Sequence, residues 1–319
     1  MIERKISIVL TFIIIIVVLC WLYDFFNGMN DAANAIATVV ASGTLTPGQA
    51  VALARTLNLV GAFITTEVAY TIGKGIVRPE VVTEHHLIAA LSGAILWTAF
   101  CTFSGLPISI THALIGGLIG PALVLGGPGL LQAAGLRKVA LAMVFSPVVG
   151  FLAGFALMWL VRWGKAWLEQ RPGLKGHPGT GKTVGEEAAA RSSRVLRYGQ
   201  LLSASFMALT HGANDTQNAM GIITAALVVT GYLQEFTVPL WVKIGSAIFM
   251  ALGTWAGGWR VVETLGKHLV RIDVARGFAA ETGASLVIGA LTLVGMPIST
   301  THVISAAILG TGAEAGLEG

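Results

Sequence analysis

Charged side chains are scarce in this sequence, making up 11% of 319 residues against 55% hydrophobic ones, where soluble domains carry roughly 25% charge. A soluble helical core of this composition would have too little polar surface to cover it. With a mean hydropathy of +0.78, the class that remains is an all-α polytopic membrane protein. Cysteine is nearly absent. Cys20 and Cys101 both lie in apolar stretches, where cysteine behaves as a small hydrophobe, so neither a disulfide nor a metal framework follows. The apolar run Ile6 to Phe26 has no small-residue cleavage site and outruns the roughly 7–15-residue core of a secretory signal, so it reads as a first membrane helix. What is plentiful is glycine, 40 residues of it, which lets membrane helices pack closely or unwind locally.

Apolar segments fall at about 6–27, 30–42, 48–73, 86–104, 107–126 and 138–161, then at 198–212, 216–233, 238–262, 277–295 and 297–310. Several are too short to span a bilayer alone and abut polar or Pro/Gly breaks, the pattern of discontinuous helices and re-entrant hairpins that line a cavity. The segments divide the chain into a membrane repeat 1–161, a basic linker 162–197 and a second membrane repeat 198–319. The linker carries a net charge of +5, which by the positive-inside rule places it in the cytoplasm. A nucleic-acid role for it is not expected, because its polar centre has no interleaved aromatics and no fold signature. Within it, Gly176 to Thr183 matches the nucleotide-binding pattern G-x-x-x-x-G-K-[ST]. That pattern needs a buried strand before it and a helix after it, and the polar flanks supply neither, so the stretch reads as a linker and the protein is not expected to be an enzyme.

The two halves repeat each other. Asn27-Gly-Met-Asn30-Asp31-Ala-Ala-Asn34-Ala returns as His211-Gly-Ala-Asn214-Asp215-Thr-Gln217-Asn218-Ala, 184 residues later, and Gly105-Leu-Pro107-Ile-Ser109-Ile-Thr111-His112 returns as Gly295-Met-Pro297-Ile-Ser299-Thr300-Thr301-His302, 190 residues later. A looser echo pairs Gly61 with Gly253, 192 apart. Two repeated halves joined by a basic linker suggest a transporter with its site at the bilayer midplane between inverted-topology repeats.

An aspartate in hydrocarbon costs several kcal/mol on insertion scales, so Asp31 and Asp215 are tolerated only against a cavity, a cation or a partner. Each is flanked by amides at i−1 and i+3, and an unwound stretch there would hold a small cation with carboxylate and amide oxygens. The prolines suit the first turns of restarting helices near Pro107 and Pro297. There the hydroxyls of Ser109, Thr111, Ser299, Thr300 and Thr301 would join first-turn N–H groups in an anion-binding surface. Plainer readings stand beside these. A membrane Ser or Thr often returns its hydroxyl to its own helix, and a membrane Asn often glues helices together. His112 and His302 fit hydrogen bonding as well as proton transfer. Further intramembrane polar candidates are Asn58, Glu67, Glu263 and Glu281, of which Glu67 and Glu263 are nearer polar ends.

At these blocks the sequence resembles the inorganic phosphate transporter (Pit) family, short bacterial type, whose signatures read G-x-N-D-x-x-N-A and P-[IV]-S-x-T-H. The likeness runs over nearly the whole chain. It implies an ion-coupled symporter, driven by protons or sodium, that imports inorganic phosphate, free or as a metal–phosphate complex, by alternating access. It further implies a multi-pass homodimer in the cell membrane without a cofactor. A permease for sulfate or another tetrahedral oxyanion is the alternative on the same fold. By the resemblance, Asn30, Asn34, Ser109, Thr111, Asn214, Asn218, Ser299, Thr300 and Thr301 bind substrate, while Asp31, Asp215, Glu281 and the position of Asn58 serve the coupling ion. Some family members carry Glu at Asn58. Family members also continue past the second P-I-S-x-T-H block with a final membrane helix, the counterpart of about 137–160, so the second repeat is expected to be one helix short.

Overall fold

A computed structural model describes residues 2–78, 81–169, 184–267 and 269–316. The first half forms helices α1 (Ile2–Ala41), α2 (Pro47–Gly61), α3 (Glu67–Gly75), α4 (Glu84–Ser104), α5 (Ile110–Gly126) and α6 (Ala133–Glu169). The second forms α7 (Val184–Asp215), α8 (Gln217–Val229), α9 (Leu240–Ala256), α10 (Trp259–Lys267), α11 (Val274–Leu293) and α12 (Thr300–Gly316). Among the described residues, α1, α4, α6 and α11 are each long and apolar enough to cross a bilayer, and α9 with α10 makes a bent pair at 70°. The flanks of the basic linker are helical extensions of α6 and α7; its P-loop-like stretch 176–183 lies outside the described residues.

Local chemistry explains where the helices stop. Gly105 and Gly295 adopt φ of +73° and +67°, a left-handed conformation open to glycine at little steric cost, so α4 and α11 end there and turn back. Ser109 then caps α5 by accepting from the His112 amide at 3.2 Å, and Ser299 accepts from the His302 amide at 3.1 Å at the start of α12. These restarts lie two to three residues beyond Pro107 and Pro297. A capping box at Thr46 and Gln49 opens α2.

Helix α1 corrects one expectation. It runs uninterrupted through Asn27 to Ala35, joining the two segments expected at 6–27 and 30–42, and the second Asn-Asp block is broken only at Thr216, whose backbone is itself right-handed. The reason lies in where the amides donate. Asn30, Asn34, Asn214 and Asn218 all reach hydroxyls on other helices, so none competes with its own helical ladder. The breaks fall instead between α2 and α3, α4 and α5, α9 and α10, and α11 and α12.

The halves interlock. α1 packs on α9 of the other half, and α7 packs reciprocally on α2. Both contacts are backbone-close: a Cβ at Gly253 would collide with the Phe25 carbonyl oxygen, and one at Gly61 with that of Leu209. α6 lies along α12 and α11, where Arg162 and Glu314 form an ion pair at 2.8 Å. This frame holds the middle of α1, the end of α7 and the starts of α5 and α12 around one buried centre.

Candidate functional site

The centre is built from acidic, amide and hydroxyl groups. Asp31 and Asp215 are buried to 2% and 1% exposure, and α12 bridges them: Thr301 donates to Asp31 Oδ1 at 2.9 Å, while Thr300 Oγ1 lies 3.3 Å from Asp31 Oδ2 and 3.0 Å from Asp215 Oδ2. A hydroxyl has one proton, so Thr300 serves one carboxylate at a time. Asn34 donates to both threonine oxygens, at 3.2 and 3.0 Å. In the equivalent place of the other half, Asn218 donates to Thr111 at 3.0 Å and lies 3.4 Å from the hydroxyl of Tyr23. The first turns of α5 and α12 thus converge, with the rings of His112 and His302 5.5 Å apart. Two helix N-termini, each with uncommitted N–H groups, face one small volume, an arrangement that favours an anion.

His211 completes the cluster. Its Nδ1 is 3.1 Å from Asn58 Oδ1, and the Asn58 amide nitrogen donates to Thr254 at 3.0 Å. The Asn58 oxygen is therefore the acceptor and His211 Nδ1 the donor. In the neutral ring this leaves Nε2 with a lone pair, pointing at Asp215 Oδ2 at 3.3 Å and Asp31 Oδ2 at 3.8 Å. Three electron-rich groups meeting this way need positive charge among them, supplied by a proton or a cation. One ligand atom from each of Asp31, His211 and Asp215 lies within 4.8 Å of the others. Around them, the Oδ1 atoms of Asn30, Asn34, Asn214, Asn218 and Asp215 are buried without a protein partner. Acceptors in excess beside helix N-termini suit a cation and an oxyanion held side by side.

The other expected residues are placed as follows. Asn30 and Asn214 donate to Thr102 at 2.9 Å and Thr292 at 2.7 Å in their own halves. Ser109 and Ser299 serve as helix caps. Asn58 reaches the centre through His211. Glu281 is separate from the aspartates: fully buried on α11, it accepts hydrogen bonds from Thr38 and Ser203, and Thr38 stands two helical turns beyond Asp31, about 10 Å along α1. Glu67 and Glu263 are exposed. Sequence reasoning passed over His211, Tyr23, Thr102 and Thr292. The last two were findable, being 190 residues apart like the hairpin blocks.

The chain also resembles known proteins over nearly its whole length. Residues 27–317 match the phosphate transporter family. A probable low-affinity inorganic phosphate transporter of Rhizobium meliloti (strain 1021) is 42% identical over 91% of this chain and 82% of its own length. One of the same description from Bacillus subtilis (strain 168) is 37% identical over 98% and 89%. A solved structure described as the sodium-dependent phosphate transporter superposes with a TM-score of 0.83 at 26% identity, covering 97% of this chain and 91% of that one. This chain belongs to the phosphate transporter family.

Proposed function

We propose that the protein is a multi-pass symporter that carries inorganic phosphate across the cell membrane, coupled to a cation and working by alternating access between two inverted-topology repeats. The observation that carries this reading is the bridge made by Thr300 and Thr301, which links both aspartates to the N-terminus of α12. The carboxylates and phosphate compete for the same hydroxyl protons. Without a cation, the threonines donate to Asp31 and Asp215; a cation on the carboxylates occupies those lone pairs and frees the hydroxyls to donate to phosphate. Binding of one therefore favours binding of the other, the reciprocity a symporter requires.

In this reading Asn34, Asn218, Thr111, Thr300 and Thr301 hold phosphate together with the N–H groups of α5 and α12. Asn30, Asn214, Ser109 and Ser299 set the positions of those groups. Asp31, Asp215 and His211, backed by Asn58, hold the cation, with Glu281 a separate carboxylate on the path. Sodium is supported by the excess of oxygen acceptors and by the description of the solved relative. The reading also takes the net-positive linker as cytoplasmic and the working unit as a homodimer.

The test is uptake of radiolabelled phosphate into proteoliposomes under separately imposed sodium and proton gradients, with unlabelled sulfate as competitor. Uptake that follows one gradient and resists sulfate supports the reading and names the ion. Gradient-independent flux, or displacement by sulfate, overturns it.

A further inference from the structure

Seven residues before Asp31, two turns earlier on α1, stands a carboxylate that the cluster does not use. Asp24 has no exposed surface, and neither of its oxygens has a hydrogen-bond partner. On its own helix, the Asn27 amide nitrogen is turned toward the Asp215 carbonyl at 3.4 Å, which leaves Asn27 Oδ1 buried and unpartnered. From α9, Ser246 Oγ faces the carboxylate without completing a hydrogen bond. On α1 itself, Cys20 and Tyr23 stand beside Asp24, both fully buried and neither basic. A buried carboxylate among oxygen acceptors, with no ion-pair partner among the described residues, demands a positive charge from solution.

The internal repeat shows that packing does not ask for this carboxylate. The α1–α9 contact is mirrored by α7–α2, with Phe25 on Gly253 answered by Leu209 on Gly61. At the same 184- and 192-residue spacings, Asp24 corresponds to Ala208 and Ser246 to Ala54, each 1% exposed and packed in one apolar cluster. One interface closes with two alanines, while the other places an aspartate against a serine in hydrocarbon. Asp24 is also in line. Seven-residue steps along α1 lead from Asp24 to Asp31 and on to Thr38, which donates to Glu281. Seven residues are nearly two full turns, so Asp24, Asp31 and Thr38, the last bonded to Glu281 of α11, share one face of α1, spaced by about 10 Å.

We propose that Asp24, Asn27 Oδ1 and Ser246 form a second binding site for a monovalent coupling cation, sodium or a proton, upstream of the central site. The inference rests on the symport reading above. A cation held there offsets negative charge two helical turns from Asp31 and so favours phosphate at the centre, and emptying the site is part of each cycle.

The test measures steady-state phosphate accumulation in proteoliposomes with membrane potential clamped near zero and a tenfold gradient of sodium or of protons, for the wild type, Asp24→Asn and the double variant Asp24→Ala/Ser246→Ala. The double variant recreates the alanine pair of the mirrored interface and is expected to fold. Losing one coupled cation lowers the accumulation ratio about tenfold at that gradient, and the gradient under which the drop appears identifies the cation. Equilibrium binding of radioactive sodium to purified protein separates the arms: one site fewer for sodium, an unchanged count for a proton. Unchanged accumulation in a folded variant overturns the proposal. So does failure of both variants to fold, which would make Asp24 structural. A wild type without gradient-driven accumulation would instead refute the symport reading.

Discussion

Two aspartates that face one imidazole can be separated by exchanging single atoms. Asp31→Asn keeps the shape of the side chain but removes a charge at the point where Thr301, Thr300 and His211 converge. Gradient-driven uptake is expected to fall to background while the protein remains in the membrane, as read by radiolabelled uptake beside a surface-expression blot. Full uptake would remove Asp31 from the coupling role. Thr301→Val tests the bridge itself, because valine matches threonine in volume but has no hydroxyl. A hydrogen bond to a charged group contributes about 1.5–3 kcal/mol, so the half-saturating phosphate concentration should rise about tenfold or more. The sodium or proton requirement should fall as that concentration rises, since a cation no longer has to displace this hydroxyl from Asp31. A variant that raises one requirement and leaves the other untouched would argue against competition for that proton.

At the level of helices, the interlock of the halves depends on backbone contact. Gly253→Val on α9 drives side-chain atoms into the Phe25 carbonyl of α1, and overpacking of this kind costs about 1–3 kcal/mol even where neighbours can yield. Here the neighbour is main chain, so the thermal midpoint in detergent is expected to drop by several degrees. Gly48→Ala, in open space near the start of α2, should leave it unchanged. Equal midpoints would show that α1 and α9 have room to part. The sequence made much of this frame readable. Doubling exposed Asp31, Asp215, Asn34, Asn218, Thr111 and Thr301, because a polar residue repeated in register inside hydrocarbon is visible without coordinates. Doubling also hid its exceptions. His211 stands where the first block has Asn27, and Asp24 stands where the second half has Ala208, so neither was singled out by the repeat. The helicity of the Asn-Asp blocks was illegible for a different reason: it depends on Thr102, Thr292, Thr111 and the α12 threonines arriving from other helices to take the amide donors.

For the whole molecule, the closed centre sets the terms of transport. Every group of the cluster is nearly or fully buried, so exchange with either side requires the elements around it to separate. Among the elements that meet there from opposite halves are the starts of α5 and α12, and their contact is marked by His112 against His302 at 5.5 Å between ring centres. Neither ring bonds the cluster through an observed hydrogen bond, so replacing both with cysteine spares the binding groups. Cys20 and Cys101 are the other thiols in the chain and both are buried, which keeps the background of labelling low. A short thiol cross-linker applied to His112→Cys/His302→Cys should bind the two helix starts together and bring phosphate uptake to background. A cleavable linker should restore uptake on reduction. The cross-linked protein should still retain phosphate loaded before treatment, because the cluster is already assembled in the closed arrangement. Undiminished uptake after complete cross-linking would mean that α5 and α12 travel as one body. Access would then have to open elsewhere, at the α1–α9 and α2–α7 contacts, whose glycines would become the next place to look for movement.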